Sequence, residues 1–294
     1  MVTIRVPATT ANLGPGFDCL GLALDLFNDY SFSIDDQLRI TGCEAQYAHE
    51  NNLVYRAYRA ALERHGMKST GLRLNITTRI PPARGLGSSA ACVVAGILGA
   101  DALHALNMDK QSVFELATHL EGHPDNVAPA LYGGLRLSMM EGGAPHSVRS
   151  PVHPAWRFLL LVPDFELDTH TARHALPRLV PLEDAVYNVA HTAFLLKALE
   201  EGDLPLLRLA LKDRLHQRAR LPLIAGAREI MERAEALGAA CCVSGAGPSL
   251  LCVHQDALLP GTLANILISD FPRFSALPLT VCHEGAKTER TFSP

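Results

Sequence analysis

Apolar positions along the chain alternate over short stretches and recur at helical spacing over longer ones. Residues 3–6 are β-prone and predict a strand ended by Pro7, and an Asn/Gly/Pro loop follows at residues 12–16. Weak alternation predicts strands over 30–34 and 37–41. Leu53, Ala57, Ala60 and Ala61 recur at helical spacing within 52–65, with Gly66 as the stop. Leu72, Leu74 and Ile76 alternate and predict a strand. A Pro/Gly loop at 80–87 precedes an apolar, Ala-rich stretch at 88–106, long enough for a buried helix, and 110–120 predicts a second helix.

Residues 133–139 predict a strand, and 141–154 are turn-rich, which places a domain boundary near residue 150 and divides the chain into 1–150 and 151–294. Residues 156–162 form a nearly continuous apolar run, as a strand covered on both faces does. Helices are expected at about 171–176, 182–200, 204–215 and 223–237, and strands at 240–243 and 250–253 flank a Gly loop. Strands and helices mix without regular βαβ alternation, which points to an α+β fold. Residues 35–50, 141–154 and 254–294 carry no readable motif.

Composition narrows the class. Hydrophobic residues make up 48% and the net charge is -4, so neither disorder nor a basic nucleic-acid binder is expected. The longest apolar run, 90–100, is far short of the roughly 20 residues that span a bilayer, so no membrane partner is expected. No secretory signal opens the chain, and its seven cysteines form no C-x-x-C pair. They read as reduced core residues of a cytoplasmic protein, and no zinc spacing is present.

The sharpest segment is Pro81-Pro82-Ala83-Arg84-Gly85-Leu86-Gly87-Ser88-Ser89-Ala90-Ala91, between a strand and a long apolar helix. Gly85 and Gly87 permit positive φ and close backbone approach, and Ser88 and Ser89 can cap the helix start. A helix N-terminus offers free N–H groups and a positive dipole end to an anion. Alone, such a loop is most simply a Gly turn before a capped helix. Gly85-x-Gly87-x-x-Ala90 also fits a permissive dinucleotide fingerprint, but two prolines separate strand from glycines and no acidic residue ends a following strand. A Walker loop would need Gly-Lys-Ser/Thr, and no lysine is here.

The same segment resembles the Pro-x-x-x-Gly-Leu-Gly-Ser-Ser-Ala loop of the galactokinase, homoserine kinase, mevalonate kinase and phosphomevalonate kinase (GHMP) superfamily. Three further segments are similar in the right order. Pro7-Ala8-Thr9-Thr10-Ala11-Asn12-Leu13-Gly14-Pro15-Gly16-Phe17-Asp18 and Glu121-Gly122-His123-Pro124-Asp125-Asn126 resemble homoserine kinases, and Val243-Ser244-Gly245-Ala246-Gly247-Pro248-Ser249 resembles the superfamily's third motif. The resemblance implies a two-domain GHMP kinase fold, with a ribosomal-S5-like N-terminal domain, a ferredoxin-like C-terminal domain and the site in the cleft between them. It implies ATP and Mg²⁺ as cofactors and L-homoserine, phosphorylated on its side-chain hydroxyl in threonine biosynthesis, as substrate. Family members are commonly dimers, so a homodimer is a further expectation.

Roles follow from the resemblance position by position. ATP would be held by Pro82, Ala83, Arg84, Gly85, Leu86, Gly87, Ser88, Ser89 and Ala90, with Asn52 and Val54 at the adenine. Ser89 and Glu121 would hold the metal. Arg173, with Thr169 beside it, would bind the substrate carboxylate, because a planar guanidinium can grip two oxygens. Arg220 aligns as a second such arginine, with Arg218 competing. Asp18 would accept from the α-amino group, with Asn12 also contacting substrate, and His123 and Asn126 would lie near the reacting hydroxyl. Asp125 falls about where mevalonate kinases place a base; a loose transition state also allows catalysis by alignment and charge stabilisation without one. Alternatives are a sister kinase acting on mevalonate, a sugar or an isoprenoid, a non-catalytic binding protein that kept the fold, and, more distantly, a dehydrogenase.

Overall fold

The structure is a computed structural model that describes residues 1–69 and 71–290. Strands β1 (Val2–Ala11), β2 (Leu20–Ser33) and β3 (Leu38–Thr41) lead to helix α1 (Leu53–Arg64) and β4 (Leu72–Thr77). Helices α2 (Ser88–His104), α3 (Lys110–Glu121) and α4 (Val127–Tyr132) precede the hairpin β5 (Leu135–Glu141) and β6 (Ala144–Ser150). Then come β7 (Arg157–Pro163), α5 (Thr169–His174), α6 (Leu182–Glu201), α7 (Leu204–Ala210), α8 (Gln217–Arg220) and α9 (Ala227–Ala236). The chain continues through β8 (Ala240–Val243), β9 (Leu250–His254), α10 (Leu259–Asp270), β10 (Phe274–Leu279) and β11 (Lys287–Arg290).

One sheet runs β11-β1-β2-β4-β3, with β5 on β2 and β6 on β5. The other runs β10-β7-β9-β8 with every pair antiparallel. Counted within that half, its strands lie in the order four-one-three-two of a βαββαβ unit, the ferredoxin-like arrangement. The α+β architecture expected from the pattern is therefore present. Residues 1–150 supply six strands of the first sheet, and β11 returns from the far end of the chain to pair with β1. Among the described residues no helix is long and apolar enough to cross a membrane.

The apolar run of β7 shows why its alternation was invisible. Phe158, Leu160 and Val162 enter the large core, which also holds β1, β2, β4, α1 and α2 residues, whereas Leu159 and Leu161 enter a second core with Ile230 of α9 and Leu263 of α10. A strand covered on both faces needs no polar side. Helix α2 is apolar all round for a similar reason. Its Gly96 lets α1 approach so closely that a Cβ there would lie 2.2 Å from the Val54 carbonyl oxygen.

Several sequence expectations are corrected. β1 does not end at Pro7 but continues to Ala11, because a register shift at Pro7/Ala8 accommodates the proline within the pairing with β2. β2 spans 14 residues rather than 30–34; its start, Leu20–Leu24, is buried on both faces and does not alternate. The turn-rich 141–154 contains β6, and 254–290 contains β9's last residue, α10, β10 and β11.

Candidate active site

The loop before α2 is shaped by its glycines. Gly85 and Gly87 have φ of +71° and +66°. A Cβ on Gly85 would sit 2.2 Å from the Ser244 carbonyl oxygen, and one on Gly87 1.8 Å from Thr9 Oγ1. The loop is thus wedged between β1 and the 244–249 turn. Ser244 Oγ donates to Gly85 O (2.7 Å), and Gly245 N to Ala11 O (3.1 Å). The residue capping α2 is Gly87, with no side-chain cap, so Ser88 and Ser89 do not cap as expected. The first N–H groups of this 17-residue helix remain available to an anion. Arg84 lines the cleft, but its guanidinium is occupied by Pro82 O, Pro163 O and Asp164 O and by Glu166 at 3.3 Å. It ties the loop to the end of β7.

Ser89 Oγ instead donates to Glu121 Oε2 at 2.7 Å. Glu121 is the last residue of α3, and burial pushes its carboxyl above the ordinary carboxylate range despite that hydrogen bond. The donor set is one carboxylate and one hydroxyl, both hard oxygens. Among the described residues no three His, Cys, Asp or Glu side chains cluster for a metal. The pair suits Mg²⁺, which is commonly held by one or two carboxylates, waters and substrate phosphates.

Opposite lies an ionic group. Asn12, at φ +70°, donates through Nδ2 to Gly245 O (2.7 Å) and accepts from Asp18 N (3.0 Å). Asp18 in turn accepts from Arg173 Nη2 at 2.8 and 3.0 Å. Arg220 is 2% exposed and lines the same cleft, whereas Arg218 is exposed to solvent. Of the two competing arginines, Arg220 is therefore the one whose side chain lines the cleft. Its Nη1 donates to Gly245 O and to His216 Nδ1, each at 3.1 Å. His216 Nδ1 is then the acceptor, and Nε2 carries the proton donated to Gly14 O (2.8 Å). Burial lowers the His216 pKa, in keeping with this neutral tautomer.

Between the two ends stand His123, Asp125 and Asn126. Asp125 Oδ1 accepts from His123 Nδ1 at 2.6 Å and from Asn126 N at 2.9 Å. The hydrogen bond to Asp125 raises the His123 pKa against the cost of burial. Asn126 Oδ1 accepts from Thr9 Oγ1 (2.7 Å), which leaves its Nδ2 as the donor for a ligand. Thr169, the first residue of α5, lines the cleft as well. The cleft has a volume of about 580 Å³.

A second cavity of about 660 Å³ adjoins it and shares Tyr47, Ala83, Ser88 and Ser89. Asn52 lines it, but its side chain also caps α1, accepting from Val54 N (3.0 Å) and donating to Tyr47 O (2.9 Å). The expectation for Val54 is corrected: Val54 is 1% exposed within the core, and Leu53 lines the cavity instead. Leu86 and Ala90 also bury their side chains, so they serve the loop through the backbone. Residues the sequence did not single out include Tyr47, in a segment without periodicity, and Thr9, Phe17 and Glu166. Membership of the first motif was the available signal for Thr9 and Phe17.

Residues 52–134 match the family "GHMP kinases N terminal domain" and residues 195–272 match "GHMP kinases C terminal". The chain is 40% identical to the homoserine kinase of Clostridium beijerinckii over 291 residues, covering 97% of this chain and 98% of that one. It is 43% identical to the homoserine kinase of Thermosynechococcus vestitus over 296 residues, again 97% and 98%. The crystal structure of homoserine kinase from Cytophaga hutchinsonii matches with a TM-score of 0.86 at 29% identity, covering 98% and 97% of the two chains.

Proposed function

This chain belongs to the GHMP kinase family, on its homoserine kinase branch, and from that premise we propose that its cleft transfers the γ-phosphoryl group of ATP to the side-chain hydroxyl of L-homoserine. The products are O-phospho-L-homoserine and ADP, and the step serves threonine biosynthesis. The observation that carries the substrate is the pairing of Asp18 with Arg173 beside buried Arg220. One carboxylate and two guanidiniums form the complement of a zwitterionic amino acid, which neither a sugar nor mevalonate would match.

The residues divide the work. The α2 N-terminus and the Gly85–Gly87 backbone receive the phosphates, and the Tyr47-lined cavity receives the adenine. Ser89 and Glu121 would hold Mg²⁺, which would supply charge neutralisation for the nucleotide phosphates. Asp18 takes the substrate ammonium, and Arg173 and Arg220 take its carboxylate, with Asn12 and Thr169 adjoining. His123, oriented by Asp125, and Asn126 Nδ2 orient the hydroxyl. Asp125 already accepts from His123 and from Asn126 N, which supports a positioning role over that of base. Asp125→Asn is expected to lower kcat by less than about 10²-fold, below what general-base loss typically costs.

ADP release is the deciding assay, run with homoserine, mevalonate, galactose and threonine. Turnover with homoserine alone is expected, and none with homoserine sinks the reading. Unchanged ADP release by Glu121→Ala would overturn the metal assignment. The reading also places the enzyme in the cytoplasm, supported by seven free cysteines, and as a homodimer, supported by an apolar stripe on α6.

A further inference from the structure

We propose that Phe17 is a positioning residue for the substrate carboxylate, its ring a shared platform that sets the spacing of Arg173 and Arg220. Arg173 Cζ lies 5.7 Å from the ring centroid and Arg220 Cζ 5.3 Å. Both are within the roughly 6 Å at which an aromatic face attracts a cation. Among the cation–π contacts of the described residues, Phe17 is the ring shared by two guanidinium groups. Its ring also stacks on His216 at 5.2 Å and 26°, and His216 is the acceptor for Arg220 Nη1.

Two like charges converging on one small ligand repel each other. Arg173 has Asp18 as its ion-pair partner, whereas Arg220 bonds neutral groups: Gly245 O, His216 Nδ1 and Ala172 O. Once Asp18 turns to a substrate ammonium, its hold on Arg173 is shared. The ring attraction is unaffected by that exchange, because it needs no counter-charge. Phe17 directly precedes Asp18, so one loop sets both the acceptor for the ammonium and the platform for the carboxylate ligands. An aliphatic side chain of similar bulk could fill the space but has no negative face to present.

The proposal rests on homoserine as substrate, and the test separates the two. Phe17→Leu and Phe17→Trp are compared with the unmutated enzyme, using L-homoserine and its carboxamide, which lacks the charged carboxylate. Phe17→Leu is expected to raise the homoserine KM about fivefold to thirtyfold, with kcat within about twofold and the ATP KM unchanged. Phe17→Trp is expected to return the KM to within about threefold of the unmutated value. On the carboxamide, Phe17→Leu is expected to change kcat/KM by less than about twofold. A Phe17→Leu enzyme with unaltered homoserine KM overturns the proposal. So does an equal penalty on the carboxamide, or a joint loss of kcat and ATP affinity, since either marks plain packing. Failure of the unmutated enzyme on homoserine would instead overturn the substrate.

Discussion

Arg220 is a buried cation whose bonded neighbours are all neutral, and that alone predicts its behaviour. Loss of solvent pushes its pKa down to about 10, yet it remains charged at neutral pH. The carboxylates of Asp18, Asp125 and Asp213 attract it from a distance, and in the proposed function the substrate carboxylate would be its bonded counter-ion. Arg220→Lys keeps the charge but loses the planar fork, so homoserine KM is expected to rise about 10–100-fold with ATP KM unchanged, as steady-state kinetics would show. His216 beside it makes a pH prediction. Its folded pKa lies below the unfolded value of about 6.5, so in acid the unfolded chain binds a proton that the folded chain refuses. Its stabilising contribution is full above about pH 6.5 and is lost as pH falls. Thermal melts from pH 7 to pH 5 should fall less steeply for His216→Asn than for the unmutated protein, and coincident slopes would refute the idea. At this scale motif order named Asp18, Glu121, Asn126 and Arg173, and the fold brings all four to one cleft. Arg220 could not be told from Arg218, because burial, and not residue type, separates them. Phe17 lay inside the first motif without an assigned role, and Tyr47 was illegible, because a ring in a short segment without periodicity carries no signal.

The phosphate loop is the element in which sequence and geometry agree most closely, since its glycines are required by contact as well as by φ. Gly85→Ala would drive a Cβ against the Ser244 and Gly247 carbonyl oxygens, 2.2 and 2.8 Å away, neither of which is a flexible side-chain end. The loop or the turn must shift, and kcat/KM for ATP is expected to fall at least about 10²-fold, as a misplacement of about 1 Å can cause. Gly142→Ala in the β5–β6 turn is the control. It has φ of +58° but nothing within 4 Å, so a loss of about 1–2 kcal/mol in stability with normal kinetics is expected. Equal kinetics for both variants would show that the 244–249 turn does not brace the loop. The elements that escaped the pattern share a cause. β2 begins with Leu20–Leu24 buried on both faces, and β1 carries a proline through a register shift, so neither alternates cleanly. β11 pairs with β1 through Val2↔Arg290, a contact no local window contains.

Across the whole molecule, α6 links the substrate loops to an unpartnered surface. Its buried Asn188 donates to Pro15 O (3.1 Å) and Asp213 Oδ1 (2.7 Å), which fastens both the loop carrying Asp18 and the segment carrying Arg220. Its opposite face exposes Leu182, Val186, Val189 and Phe194 by 80, 60, 74 and 55%. Exposed apolar side chains along a helix about 30 Å long are unusual on a monomer and support the proposed homodimer. The expected state is therefore a dimer of twice the chain mass in sedimentation analysis. The double variant Val186→Glu/Phe194→Glu should be a folded monomer. Because α6 holds the two substrate loops, that monomer should also show a raised homoserine KM with an unchanged ATP KM. A monomeric unmutated protein at about 100 μM, or a double variant that still dimerises, would place the interface elsewhere or remove it. A monomer with unchanged homoserine KM would separate assembly from the site and leave Asn188 as a purely internal brace.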